Sequence, residues 1–197
     1  MDHITFVRHG NTNHNVENRA QGHLHNPLNE TGLREAAAVA KRLSEEAWDV
    51  LVSSDLLRAR QTAEIISEAI RLPIERFDIR LREKDRGQIV DTIEEERVAK
   101  WGPNWRELDL GEETDQSLRV RGMSVVSDMI NQYPGKKILV VTHGYFLGQT
   151  LKELIRDEST GDHLRNTSVT TVVRNGKKWE YLLYDCVRHL ESEKNTP

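Results

Sequence analysis

His3-Ile4-Thr5-Phe6-Val7-Arg8-His9-Gly10 reads as a buried strand over residues 5–7 that stops abruptly on a cation, an imidazole and a glycine. Such a run delivers reactive groups to a sheet edge, because ligands of open α/β folds lie beyond the carboxyl ends of the strands. Glycine at position 10 lets the backbone turn sharply or approach a ligand closely. Three residues alone are equally an ordinary strand exit, so the reading depends on what the other strands carry.

Working outward, residues 49–53 (Asp-Val-Leu-Val-Ser) form a second strand and residues 137–142 (Lys-Ile-Leu-Val-Val-Thr) a third. The third run is apolar almost throughout, as a parallel strand covered on both faces requires. Helices are expected between them. Leu33, Ala36, Ala37, Ala40, Leu43 and Ala47 recur at helical spacing within 31–48. Leu57, Ala59 or Thr62, Ile65, Ile66 and Ala69 do so within 56–70, with Asp55 as the expected cap. Further helices are expected over 91–100, 116–131 and 145–155. Residues 74–79 read as an edge strand, and the runs 168–173 and 178–184 flank Asn175-Gly176, a hairpin signal. Residues 11–18 begin a short helix or loop, 19–28 are a loop by composition, and 81–110 are the least regular region. The fold class that follows is α/β: a three-layer sandwich with a mostly parallel central sheet flanked by helices. It forms one domain over residues 1–190, followed by a polar tail at 191–197.

Composition narrows the function. A chain of 197 residues with 37% hydrophobic and 30% charged residues is polar but globular. Its formal net charge of −4 gives no reason to expect nucleic acid or a membrane surface as partner. A local cluster of Arg and His can still hold a small anion. The single cysteine, Cys186, cannot close an intrachain disulfide. No apolar run reaches membrane-spanning length, and the N-terminus has no signal-peptide pattern. A cytoplasmic protein is expected.

The chemistry emerges when the strand ends are compared. The first strand ends on Arg8-His9-Gly10, the second on Ser53-Ser54-Asp55 followed by a helix bearing Arg58, and the third on Thr142-His143-Gly144. If these strands are parallel neighbours, two histidines and two arginines converge beside helix N-termini that favour anions. Guanidinium forks match the oxygen pairs of a phosphoryl group. One neutral imidazole can attack phosphorus and a second, protonated, can help neutralise the equatorial oxygens. A carboxyl group would have to protonate the leaving oxygen.

At this point the chain resembles the histidine phosphatase superfamily, in the branch that holds cofactor-dependent phosphoglycerate mutases and small broad-specificity phosphatases. The stretches that carry the resemblance include Val7-Arg8-His9-Gly10, Asn15, Gln21-Gly22, Pro27-Leu28-Asn29-Glu30-Thr31-Gly32, Ser53 through Ala63, Leu81-Arg82-Glu83, Val141-Thr142-His143-Gly144 and Asn166-Thr167-Ser168-Val169. The resemblance implies a phosphoglycerate mutase-like fold, His9 as the nucleophile, and Arg8, Arg58 and His143 as the rest of the phosphate pocket. It implies substrate contacts from Asn15, Gln21, Gly22 and Gly144, and Glu83 as general acid. No metal and no cofactor is implied, and the partner is a small phosphorylated substrate.

The sequence departs from the family's pattern in three places. Asn11 replaces a common Glu. Lys84-Asp85-Arg86-Gly87 keeps only the glycine of the stretch that usually follows the acid, which makes Asp85 the fallback. Tyr145 stands where a small residue is common. Among the histidines, His3, His14, His163 and His189 read as surface or hydrogen-bonded groups, and His23 and His25 as part of a polar loop near the site rather than as metal ligands. The run Glu94-Glu95-Glu96 reads as a solvated helix face. The expected activity is hydrolysis of a phosphomonoester. The alternatives are a mutase of the same fold and a non-catalytic relative that binds phosphorylated ligands. The stretch 84–113, with Trp101, Trp105 and Arg106, is expected to form the pocket wall that selects the substrate. Neither the substrate nor an oligomeric state is specified by these motifs.

Overall fold

A computed structural model describes residues 2–191. The tail expected at 191–197 therefore lies, beyond Glu191, outside the described residues. Continuous apolar runs, buried on both faces, build the centre of the fold. β1 (Asp2–Arg8), β2 (Val50–Ser53), β3 (Ile74–Phe77) and β4 (Lys137–Thr142) pair in parallel in the order β3-β2-β4-β1. β5 (Val169–Asn175) runs antiparallel beside β1, and β6 (Lys178–Cys186) pairs antiparallel with β5 at the far edge. The three strands singled out above are thus adjacent and parallel, with β4 in the middle. Their register is level: Arg8 lies opposite Thr142, and Ser53 opposite Val141. The residues that follow each strand emerge side by side.

Two cores cover the two faces. Phe6, Val52 and Val140 point to one face and pack with α5 (Asp115–Gln132) and α6 (Gly144–Ile155) through Leu118, Met129, Phe146 and Leu151. Val7, Leu51, Leu139 and Val141 point to the other face, against α2 (Glu30–Leu43) and α3 (Leu57–Ile70). Each buried Leu, Ile, Val or Phe contributes about 1.5–3 kcal/mol by leaving water, so the strands that position the site are the best anchored part of the chain. No helix among the described residues is long and apolar enough to cross a membrane.

Several boundaries differ from the sequence reading. α2 ends at Leu43 rather than 48, because the Trp48 indole folds back and donates to the Leu43 carbonyl at 2.8 Å; Ala47 and Leu33 are left exposed. Asp55 does not cap α3. Leu56 holds that position without a side-chain bond, and the Asp55 carboxylate is taken by Arg82 Nε at 2.8 Å. Residues 74–79 remain a strand only to Phe77, since Asp78 accepts from the Arg80 amide and opens a 3-10 turn over Ile79–Leu81. The helix expected over 91–100 is α4 (Glu94–Trp101), and α1 (Asn13–Val16) fills the short helix expected near residue 11. In the hairpin, Asn175 still pairs with Lys178, so the turn itself is Gly176-Lys177.

Candidate active site

The level strand ends place His9, Ser54 and His143 together. The His9 amide donates to Thr142 O at 2.9 Å and the Ser54 amide to Val141 O at 2.9 Å, which extends the ladders one residue past the strands. His9 and His143 are buried, their ring centroids 5.1 Å apart and tilted by 58°. His9 Nδ1 lies 2.7 Å from the carbonyl of Gly10. A carbonyl can only accept, so this bond assigns the proton to Nδ1 and the lone pair to Nε2. Nε2 in turn accepts from Arg58 Nε at 3.2 Å.

Arg58 is wholly buried, and its fork is fixed on three sides. Nη1 donates to Leu24 O at 2.8 Å, Nη2 to Gly22 O at 3.0 Å, and Nε to His9. Burial, with Arg8 nearby, pulls its pKa down to about 10, so it is still a cation at neutral pH. Arg8 donates through Nη1 to the Leu164 carbonyl, while its Nε is buried without a partner. Gly144 lies directly against it: a Cβ there would come within 3.1 Å of Arg8 Nε and 3.2 Å of Cζ. His143 is hydrogen-bonded through Nε2 to Ser54 Oγ at 2.8 Å, and its Nδ1 is buried and unpartnered. Buried polar atoms are ordinarily paired, so Arg8 Nε and His143 Nδ1 are two donor-capable groups in want of an acceptor.

Burial, followed by the nearby guanidiniums, pushes His9 and His143 well below the ordinary imidazole range. Both rings are neutral at neutral pH, and the positive charge of the cluster is that of Arg8 and Arg58.

Glu83 sits at the start of α6, where its carboxylate accepts from the amides of Tyr145 at 3.1 Å, Phe146 at 2.9 Å and Lys84 at 2.8 Å. It therefore shares the α6 N-terminus with His143 and Gly144, and its field acts on both Arg8 and Arg58. Asp85, the fallback acid, is exposed and accepts from the Gly87 amide inside its own turn.

The neutral residues hold the loop that borders the pocket. Asn15 closes a capping box with Thr12 at the start of α1 and also lines the cleft. Gln21 Oε1 accepts from the Thr12 hydroxyl at 3.1 Å. Gly22 contributes its carbonyl, which orients Arg58, in addition to whatever its amide offers a ligand. Of the other histidines, His23 Nε2 donates to the Glu83 carbonyl at 2.9 Å, and His14 lies 2.9 Å from Asp91. The acidic run lies on a solvated helix face, as expected, with Glu94 paired to Arg106 at 2.8 Å and Glu96 to Arg19 at 2.9 Å.

Sequence reasoning gave no role to Ser54, Asn166 or His163. Ser54 positions His143, and Asn166 Nδ2 donates to the His9 carbonyl at 3.0 Å. His163, set aside as a surface or hydrogen-bonded histidine, is exposed but lines the cleft with Arg8 and stacks 5.1 Å from Tyr145. Asn166 and Ser54 belong to quoted motifs and carried that signal; His163 carried none.

This geometry can be set beside known proteins. The profile of the histidine phosphatase superfamily (branch 1) matches residues 4–187. The chain belongs to that superfamily. Within the superfamily it is similar to an uncharacterized phosphatase, PhoE, of Bacillus subtilis, at 33% identity over 192 residues, 96% of this chain and 97% of the relative. A metal-independent phosphoserine phosphatase of Arabidopsis thaliana is 34% identical over 201 residues, 96% of this chain and 83% of that one. Among solved structures, a mycobacterial glucosyl-3-phosphoglycerate phosphatase complexed with VO3 aligns with a TM-score of 0.84 at 26% identity, covering 93% of this chain and 99% of that one. The phosphoglycerate mutase-like, three-layer superfamily fold expected from the sequence is the fold present.

Proposed function

We propose that the protein is a metal-independent phosphomonoester hydrolase acting on a small phosphorylated metabolite through a phosphohistidine at His9. The observation that carries this reading is the tautomer of His9. Its Nδ1–H is committed to the Gly10 carbonyl, so a neutral Nε2 with a lone pair faces Arg58. A buried neutral imidazole needs no prior deprotonation to act as a nucleophile.

In the first step Nε2 attacks phosphorus and the P–O ester bond breaks, with Glu83 giving its proton to the leaving oxygen. In the second step water attacks the phosphorus of phosphohistidine, Glu83 takes its proton, and the P–N bond breaks to release phosphate and restore His9. Arg8, Arg58 and His143 would bind the equatorial oxygens, where preorganised donors are most effective because they need no reorganisation as charge develops. The names of phosphatase relatives agree with hydrolysis.

The test is phosphate release from a panel of phosphomonoesters in the presence of EDTA, without any bisphosphate, comparing wild type with His9→Ala. Release by wild type alone supports the reading. Turnover that requires a bisphosphate points to a mutase, and silence across the panel to a binding protein.

A further inference from the structure

Above the phosphoryl pocket lies a cleft of about 720 Å³, lined by six cationic side chains (Arg8, Arg19, Lys84, Arg86, Arg97 and Arg106) and by one carboxylate, Glu112. That is a volume suited to a metabolite. On a chain of net charge −4, such a wall is a local device. One phosphoryl group accounts for Arg8 together with the buried Arg58. It does not account for the others.

The counter-charges decide which cations are left for a ligand. Arg19 is matched by Glu96 at 2.9 Å and Lys84 by Asp115 at 3.0 Å. Arg86 pairs with Glu112 at 3.1 Å, whereas Arg97 and Arg106 share the single carboxylate of Glu94, at 3.8 and 2.8 Å. The three guanidiniums Arg86, Arg97 and Arg106 thus face two carboxylates. They are also held in place. Arg97 and Arg106 each lie over the Trp105 ring, at 5.1 and 4.4 Å from its centroid, its Nε1 donates to Glu94 at 3.0 Å, and it is buried against Ile89 and Leu110. Arg86 lies over the Tyr145 ring at 5.1 Å. Its stem packs on Gly22, where an added Cβ would come within 3.3 Å of Arg86 Cβ, and the Gly22 carbonyl orients Arg58. One end of the cationic cluster therefore abuts the phosphoryl pocket. Burial, reinforced by Arg86 and Arg106, lowers the pKa of Arg97 against the pull of Glu94 and Glu112, the condition of a cation that a further anion would relieve.

We infer that Arg86, Arg97 and Arg106 clamp a second anionic group, carboxylate or phosphate, carried by the same substrate whose phosphoryl group is transferred to His9. The inference rests on the hydrolase reading and adds its substrate class: phosphomonoesters with a negative charge at the far end. Guanidinium forks suit either anion.

The experiment compares kcat/KM within matched pairs: phenyl phosphate with 4-carboxyphenyl phosphate, and a hexose 6-phosphate with the corresponding 1,6-bisphosphate. Wild type is expected to prefer the anionic member of at least one pair by on the order of tenfold, and the pair that shows the preference tells carboxylate from phosphate. The preference should shrink as salt screens the open cleft, and collapse toward unity in Arg106→Gln and Arg86→Gln. Because the readout is a ratio within each variant, any general loss of activity cancels. Arg106 is 64% exposed, so its replacement leaves the core untouched should the Arg86 variant fold poorly. Equal turnover of both members by wild type overturns the clamp and leaves the hydrolase reading standing. A preference unchanged in both variants overturns the assignment to these arginines. No turnover of any substrate overturns the hydrolase reading and the clamp with it.

Discussion

Glu83 is the residue on which the proposed chemistry turns most sharply. Its carboxyl group is pinned by the Tyr145 and Phe146 amides at the opening of α6 and by the Lys84 amide, and in the proposed first step it delivers the leaving group's proton. Glu83→Gln keeps the size and loses the proton. It should slow esters with poor leaving groups by about 10²–10⁴ while barely affecting p-nitrophenyl phosphate, whose leaving group needs no acid. Equal slowing of both would remove Glu83 from the role. At this scale the sequence was informative where a residue type carries intrinsic chemistry. His9, His143, Arg8 and Arg58 could be nominated from strand ends and motifs, and the structure brings all four to one place. It placed Ser54 in a quoted motif without a role, because a serine after a strand has no chemistry of its own to read; that role comes from a ring 89 residues away.

Between elements, the pocket depends on how closely α5 and α6 approach, because α6 begins on Gly144 and carries the amides that hold Glu83. Gly122 of α5 sits against Thr150 of α6: an added Cβ would lie 2.2 Å from Thr150 Oγ1, itself bonded to the Phe146 carbonyl at 2.9 Å. Gly122→Ala is therefore expected to destabilise the fold by about 1–3 kcal/mol through overpacking, seen as a lower urea midpoint at unchanged slope. An unchanged midpoint would mean that the helices can move apart freely. β4 was plain in the sequence because the uninterrupted apolar run 138–141 has few other fates. The misreadings arise where a specific side-chain partner, near or distant in sequence, overrides the preference of a segment. Asp55 has the chemistry of a cap but belongs to Arg82, and α2 stops early because Trp48 reaches its last carbonyl. The cleft wall was anticipated as the region 84–113, but its surplus of positive charge was not, since each arginine there has acidic neighbours in sequence and only the fold shows which of them pair.

For the molecule as a whole, three buried histidines tie stability to pH. His9 and His143 lie well below the ordinary imidazole value of 6.5, and His189, between Arg42 and Thr167, is lowered to about 4, in each case chiefly by burial. The unfolded chain takes up these protons near pH 6.5 and the folded chain does not. Stability is therefore fully present above that pH and falls as pH drops toward 4. Each site contributes a slope of about 1.4 kcal/mol per pH unit, so the three together approach about 4 kcal/mol per unit. Urea unfolding at pH 7.5, 6 and 5 checks this, and stability that is flat between 7 and 5 contradicts it.

The most direct test of the central claim is to quench the enzyme during turnover of a radiolabelled phosphomonoester and locate the label. The expected result is a phosphoenzyme that is labile in acid and stable in base, that maps to His9 and is absent from His9→Ala. Label on another residue, or full phosphate release by His9→Ala, would contradict it.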